Sequence, residues 1–337
     1  MPALAATAGP PGAVSSAPSV SAIITTYNQA AYVGEAVASV LGQTLAPREI
    51  IVVDDGSTDD TREVLAPYRD RIRYVHQANQ GVAAARNAGV RMAQGDLVAL
   101  LDGDDAWEPE KLAVQASAAA AHPGAGLLVV DGEHFGHPDV EGVGLFWPSA
   151  RALLGVPGPV AVRHCYDELL RMNFISTTSQ VMIPRRVLDV VGPSDPSFPL
   201  GGDYDLYLRI AARYEVVLID RRLTRWRYLP TSMSGPHARR PFRWAEENLA
   251  VWRKHLALVP PERRAALRRR RRASLHTTAR DVALYGRGVD RAWATRYLLR
   301  LWTRNFPSPT ATAFLLAVWA PRGVVRLLRA LAPRARG

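Results

Sequence analysis

Three short apolar stretches near the start of the chain each run without a break into a polar cluster, and this pattern limits the possible folds severely. Val20, Ala22, Ile23 and Ile24 make a buried strand that ends in Thr25-Thr26-Tyr27-Asn28. The β-branched segment Glu49 to Val53 ends in Asp54-Asp55-Gly56-Ser57-Thr58-Asp59, and Leu97 to Leu101 ends in Asp102-Gly103-Asp104-Asp105. A further strand is expected at Ile72 to His76. Between them lie helical patterns. The first runs from about Ala31 to Leu41, with Val33, Val37, Val40 and Leu41 at helical spacing and Gly42 as its stop. The others are Val82 to Met92 and Pro109 to Ala121. Strands separated by single helices require right-handed crossovers and a mostly parallel sheet covered on both faces. In such sheets ligands bind at the carboxyl ends of the strands, so the three polar clusters should converge on one crevice.

Beyond this the pattern loosens. Residues 124–159 are rich in Gly and Pro, with Leu127 to Val130 the only clear strand. A helix is expected from Arg163 to Met172, a strand at Gln180 to Ile183, a helix from Tyr204 to Arg213 and a strand at Val216 to Ile219. From Pro241 the pattern is purely helical. The expected organisation is a tail over residues 1–18, an α/β domain over 19–238 and a basic helical C-terminal region over 239–337. The tail holds no charged side chain and so lacks the basic start of a secretory signal.

Charge separates these parts. Residues 1–240 carry 21 Lys and Arg against 26 Asp and Glu, whereas residues 241–337 carry 21 against 5. The basic region includes the run Arg268 to Arg272, extended by Arg263, Arg264 and Arg280. Further on, Phe314, Leu315, Leu316, Val318 and Trp319 mix with Arg322, Arg326 and Arg329. Charge paired with apolar bulk favours peripheral contact with an anionic membrane over a solvated face, and no nucleic-acid module accompanies it. No uninterrupted apolar run is long enough to span a bilayer. The single cysteine, Cys165, forms no internal disulfide, which suits a reducing, cytoplasmic compartment. The expected location is therefore the cytoplasm, at the inner face of the membrane.

The acidic turn gathers three carboxylates directly after a buried strand, where like charges repel unless a cation intervenes. Oxygen ligands select Mg²⁺ or Mn²⁺, and an ion held by one or two protein carboxylates keeps positions open for substrate phosphates. A solvated turn in which Asp105 caps the next helix is the plainer alternative. Asp203 follows two glycines at the start of a helix, as a cap or as a general base.

Taken together, Ser21-Ala22-Ile23-Ile24-Thr25-Thr26-Tyr27-Asn28, Val52-Val53-Asp54-Asp55-Gly56-Ser57-Thr58-Asp59, Asn79-Gln80-Gly81 through Ala85-Arg86-Asn87-Ala88-Gly89, Leu101-Asp102-Gly103-Asp104-Asp105 and Gly202-Asp203-Tyr204-Asp205-Leu206 resemble the family 2 nucleotide-sugar glycosyltransferases. The resemblance is close from Ser19 to Leu112, patchy to Ser234 and absent beyond. It implies a GT-A-type α/β fold: a mostly parallel, mixed sheet flanked by helices, here with an all-helical C-terminal appendage. It also implies inverting transfer from a nucleoside-diphosphate sugar to a hydroxyl of a glycan, a lipid-linked sugar or another cell-surface polysaccharide precursor. By this likeness Thr25 and Tyr27 line the nucleotide base and Asp55 bonds one of its N–H groups. Asn79 points toward the nucleotide, Arg86 points toward it or binds the acidic turn, Asp102 faces the ribose and metal, and Asp104 coordinates the metal. Asp203 is the base. Two departures stand out. Gly202 replaces an acidic residue beside the base, and Leu229 stands where the family commonly has a histidine. His237 lies eight residues on, and Arg227 is the alternative contact for the diphosphate. A nucleotidyltransferase is disfavoured because residues 22–31 hold no basic side chain, and a non-catalytic sugar-nucleotide-binding or glycan-binding scaffold is the other alternative.

Overall fold

The computed structural model describes residues 18–229 and 243–269 apart from 139–140, 143, 146–152 and 156–157, together with Thr295 and Leu299. Strand β1 (Val20–Thr26) leads to helix α1 (Val33–Leu41), and β2 (Glu49–Asp54) to the short α2 (Thr61–Leu65). Then come β3 (Arg73–His76), α3 (Val82–Met92), β4 (Leu97–Asp102), the two-residue β5 (Ala106–Trp107) and α4 (Lys111–Ala121). The second half supplies β6 (Ala125–Phe135), β7 (Val160–Arg163), α5 (Tyr166–Arg171), β8 (Val181–Pro184), α6 (Arg185–Val191), α7 (Gly202–Ala211), β9 (Glu215–Arg227) and α8 (Arg243–Leu258).

One sheet runs in the order β3-β2-β1-β4-β8-β6-β9-β5, with β7 added on β9. The pairs β1–β2, β1–β4, β2–β3 and β6–β9 are parallel, and those of β8 with β4 and β6 and of β9 with β5 and β7 are antiparallel. The expected parallel half ends at β4, and the sheet is mixed beyond it. Three local readings need correction. Arg163, expected to open a helix, instead ends the strand Val160–Arg163 paired with Val216–Ile219, whose alternating side chains suit a sheet, and α5 begins only after Cys165. β6 extends to Phe135 and β9 to Arg227, each well past the apolar run that signals it, because pairing with the other carries both through polar sequence.

Alternation along the strands divides the core in two. Ile23, Ile51, Val53, Val98, Leu100, Leu127 and Val129 pack with α3, α5, α6, α7 and α8. Their neighbours Ile24, Val52, Leu97, Leu101, Leu128 and Val130 pack with α1 and α4 on the other face. Each fully buried Val, Leu or Ile contributes about 1.5–3 kcal/mol. α3 approaches so closely that a methyl on Gly89 would collide with the side chain of Ile23.

Part of the basic helical region joins this core. Val251, Leu256, Val259 and Leu267 are buried in the α7 cluster. Arg263 pairs with Asp167 at 2.6 Å, and Arg264 donates to the carbonyls of Val259 and Ala257. These two arginines, which extend the basic run Arg268 to Arg272, are held by protein partners. Arg270 to Arg272, Arg280, the segment around Trp319 and His237 lie outside the described residues. Among the described residues no helix is long and apolar enough to cross a membrane.

Candidate functional site

The three polar clusters meet. In the β1 register Thr26 lies beside Asp54 and Thr25 beside Asp102, so the loops after β1, β2 and β4 share one edge. Asn28 adopts a left-handed φ of 52° and binds the second loop twice, donating from its amide to Ser57 Oγ (2.9 Å) and accepting from the Thr58 amide (2.8 Å). Tyr27, beside it, is 47% exposed, so its ring is open to a flat partner. Asp55 is buried, and its carboxylate accepts from Gln77 Nε2 (2.7 Å) and from the amides of Gln80 (3.0 Å) and Gly81 (2.8 Å). It therefore fastens the loop that carries Asn79, which is itself exposed.

Thr25 is buried, and its carbonyl receives the Gly103 amide at 2.8 Å, drawing the acidic turn onto β1. Only glycine allows this approach, because a Cβ at Gly103 would lie 2.6 Å from Gln29 Oε1 and 2.9 Å from Thr26 Cβ. The three aspartates then take different environments. Asp102 receives Arg86 at 2.7 Å, Thr178 Oγ1 at 2.9 Å and Thr177 Oγ1 at 3.3 Å. Asp105 is fully buried and accepts from Ser179 Oγ (2.6 Å), Thr177 Oγ1 (3.1 Å) and the Arg227 amide (3.0 Å). It is not a helix cap, since α4 begins after Glu110; it ties the turn to the end of β9 and to the hydroxyl-rich turn before β8. Burial, then the charges of Asp104 and Asp102, push its carboxyl well above the usual range.

Asp104 is half-buried, with Gln29 as its side-chain hydrogen-bond partner. Burial and the nearby Asp102 push it up to about 6, against the opposing pull of its backbone bond, Arg227 and Gln29. Of the three carboxylates it is the one least engaged by the protein and most in need of a positive partner. No group of three His, Cys, Asp or Glu side chains among the described residues is arranged to hold an ion alone. The donor set instead fits a hard cation held by Asp104, with Asp102 beside it, and completed by a phosphate ligand. Arg227 closes the turn from outside: its Nε donates to the Asp104 carbonyl at 2.8 Å, its guanidinium pairs with Glu35, and it lies over the rings of Phe135 and Tyr32.

Asp203 comes from the opposite side, in the first turn of α7 after the uncharged cap Gly201. It is half-buried, and one carboxylate oxygen accepts from the Tyr204 amide at 2.6 Å. Burial raises its pKa; Arg86 opposes the shift, and Asp102 adds to it. Arg86 is thus the charge shared by the acidic turn and the candidate base. The Arg86 Nε and, one helical turn beyond Asp203, the Tyr207 hydroxyl are buried without a hydrogen-bond partner. Glu247 of α8 accepts from the amides of Leu200 (2.6 Å) and Gly201 (3.0 Å), fixing the entry to α7.

The sequence reading missed Thr177, Thr178 and Ser179, whose hydroxyls clamp the acidic turn. Their signal was the run Ser176-Thr177-Thr178-Ser179 placed directly before a buried strand. Glu247, in a helix without a motif, offered no signal of its own.

Residues 21–145 match the sequence model of Glycosyl transferase family 2. The chain is 48% identical over 97 residues to an uncharacterized glycosyltransferase of Nostoc sp., covering 28% of this chain and 30% of that protein. It is 39% identical over 156 residues to validoxylamine A glucosyltransferase of Streptomyces hygroscopicus subsp. limoneus, covering 42% of this chain and 34% of the relative. Each match thus spans about a third of the relative's length. Among solved structures, the mannosyltransferase of Pyrobaculum calidifontis in complex with GDP-Man and Mn²⁺ has the same fold, with a TM-score of 0.56 at 20% identity, over 94% of this chain and 80% of that one.

Proposed function

We infer, from a chain whose residues 21–145 form a family 2 glycosyltransferase module on a GT-A fold, that it moves a sugar from a nucleoside-diphosphate sugar to an acceptor hydroxyl with inversion. The observation that carries this reading is the meeting of the three strand-end loops at one edge, with Arg86 paired to Asp102 and within electrostatic reach of Asp203. The donor base lies against the exposed Tyr27, near Thr25 and the loop of Asn79 that Asp55 holds. Asp104, with help from Asp102, would hold Mg²⁺ or Mn²⁺, which when bound neutralises charge on the departing diphosphate. That donor class is supported by the Pyrobaculum mannosyltransferase of the same fold, which binds GDP-Man with Mn²⁺.

Asp203 accepts the proton of the acceptor hydroxyl as that oxygen bonds to the anomeric carbon. The bond from this carbon to the diphosphate breaks in the same displacement, and the nucleoside diphosphate leaves with the electron pair. A carboxylate with a raised pKa is a stronger base than one in water, and Arg86 opposes the rise that burial imposes on Asp203. Arg86 also orients Asp102, joining the donor and acceptor sides of the site. The acceptor is a glycan or lipid-linked sugar, met at the inner membrane face through the basic C-terminal region.

Asp203→Asn tests the reading. The variant should keep the thermal shift given by a nucleotide sugar with Mn²⁺ and lose transfer by about 10²-fold or more. Unchanged transfer would remove Asp203 from this role. A wild-type protein that binds donor yet transfers to no acceptor would favour the non-catalytic scaffold, the reading left open by Gly202 and Leu229.

A further inference from the structure

The ends of β6 and β9 run beyond the acidic turn as a two-stranded ribbon, with His134 opposite Trp226 and Phe135 opposite Arg227. Its two faces differ. On one, Arg225 and Arg227 lie over the ring of Phe135, and Arg227 reaches Tyr32 and Glu35 beside α1. Alternation turns His134, Trp226 and Tyr228 to the other face of the ribbon. There the His134 and Trp226 rings pack with centroids 4.6 Å apart, and Tyr228 meets His137 edge-on at 5.2 Å. Trp226 and Tyr228 are half-buried, so part of each ring remains open. The ribbon is continuous with the donor site, because the Arg227 amide between these rings bonds Asp105.

His134 makes this face more than an apolar patch. The residue is 9% exposed, and its Nδ1 has no hydrogen-bond partner. Burial lowers its pKa to about 4, so the ring is neutral at pH 7 and offers one donor and one acceptor. An unsatisfied ring nitrogen beside an indole suits a ligand that has both a C–H face and hydroxyls. A sugar or cyclitol ring has both, its axial C–H groups lying on the aromatic surface while hydroxyls bond at the rim.

We propose that His134 and Trp226, continued by Tyr228, form the floor on which the acceptor's ring stacks, and that His134 Nδ1 bonds one of its hydroxyls. The inference rests on the transferase reading above and adds the acceptor subsite to it. The floor adjoins the acidic turn through the Arg227 amide, and it sets acceptor choice by the ring's shape rather than by its charge.

The test uses the full chain and a panel of methyl hexopyranosides (glucoside, mannoside, galactoside and N-acetylglucosaminide) in saturation-transfer NMR. Wild type should transfer saturation to the C–H protons of at least one glycoside. Trp226→Ala should reduce that signal about tenfold, Trp226→Phe should restore most of it, and His134→Gln should weaken it less. Nucleotide-sugar binding, followed by thermal shift with Mn²⁺, should stay unchanged in all three variants and shows that they are folded. No saturation transfer in wild type, or equal transfer in Trp226→Ala, would overturn the proposal while leaving donor binding intact. Absent donor binding in wild type would instead overturn the transferase reading and, with it, the acceptor role.

Discussion

Asp205 is the sharpest point at which to test how the site is supported. Its side chain is fully buried and accepts from Arg209 Nε at 2.8 Å, Lys254 Nζ at 2.9 Å and His255 Nε2 at 3.0 Å. Lys254 and His255 belong to α8, so one carboxylate joins α8 to α7 two residues after Asp203. Asp205→Asn keeps the shape and removes the charge. Breaking a buried pair by neutralising one partner costs about 3–5 kcal/mol. Arg209 and Lys254 are 23% and 40% exposed and regain some hydration, which favours the lower end, about 3 kcal/mol. For a domain of this size that corresponds to a fall in Tm of about 6–12 °C at pH 7. Burial alone would raise the Asp205 pKa, but the bonds from His255, Lys254 and Arg209 more than reverse this and hold it well below the usual range. A depressed carboxylate contributes stability that is complete above the unfolded value of about 3.9 and is lost as pH falls through the folded one. The gap between wild type and variant should therefore be constant through neutral pH and narrow only below about pH 4. Calorimetry across that range checks this, and a fall of less than about 2 °C at pH 7 would show that the Asp205 charge does not hold α8 to α7.

Two further outcomes follow from other buried charges. Lys111 is fully buried, with Gln115 Oε1 at 2.8 Å and the Trp107 ring at 4.0 Å, and burial holds its pKa well below the usual value. The unfolded chain therefore binds a proton that the native state resists, so stability should rise toward alkaline pH and Lys111→Met should flatten that rise, read from urea midpoints; an unchanged slope would contradict this. Arg86 opposes the upward shift of Asp203, so Arg86→Met should move the acid limb of the transfer rate to higher pH as well as reduce the rate; an unmoved limb in a pH profile would separate Arg86 from the base.

Local sequence was sufficient to place much of this site. The strands ending in Thr26, Asp54 and Asp102 and the helix Val82–Met92 were legible because period-2 and period-3.6 patterns and abrupt polar ends are local properties. From these alone came the convergence of the three loops and the acidic turn, whereas Asp203 stood open between cap and base until the family resemblance pointed to the base. Tertiary structure decided what each aspartate does. Asp102, Asp104 and Asp105 are nearly equivalent in the sequence, yet Asp102 pairs with Arg86, Asp104 stays half-buried with Gln29 as its side-chain partner, and Asp105 is buried under Ser179 and the Arg227 amide. That division depends on partners 72 to 122 residues away from Asp105, which no window of sequence contains. The same holds for the ribbon of His134 and Trp226, whose polar ends carry no strand signal and become a surface only when β6 and β9 pair. Pattern fixes which segments are buried, because burial follows from each segment's own side chains. Which charges meet is fixed by the packing of segments remote in sequence.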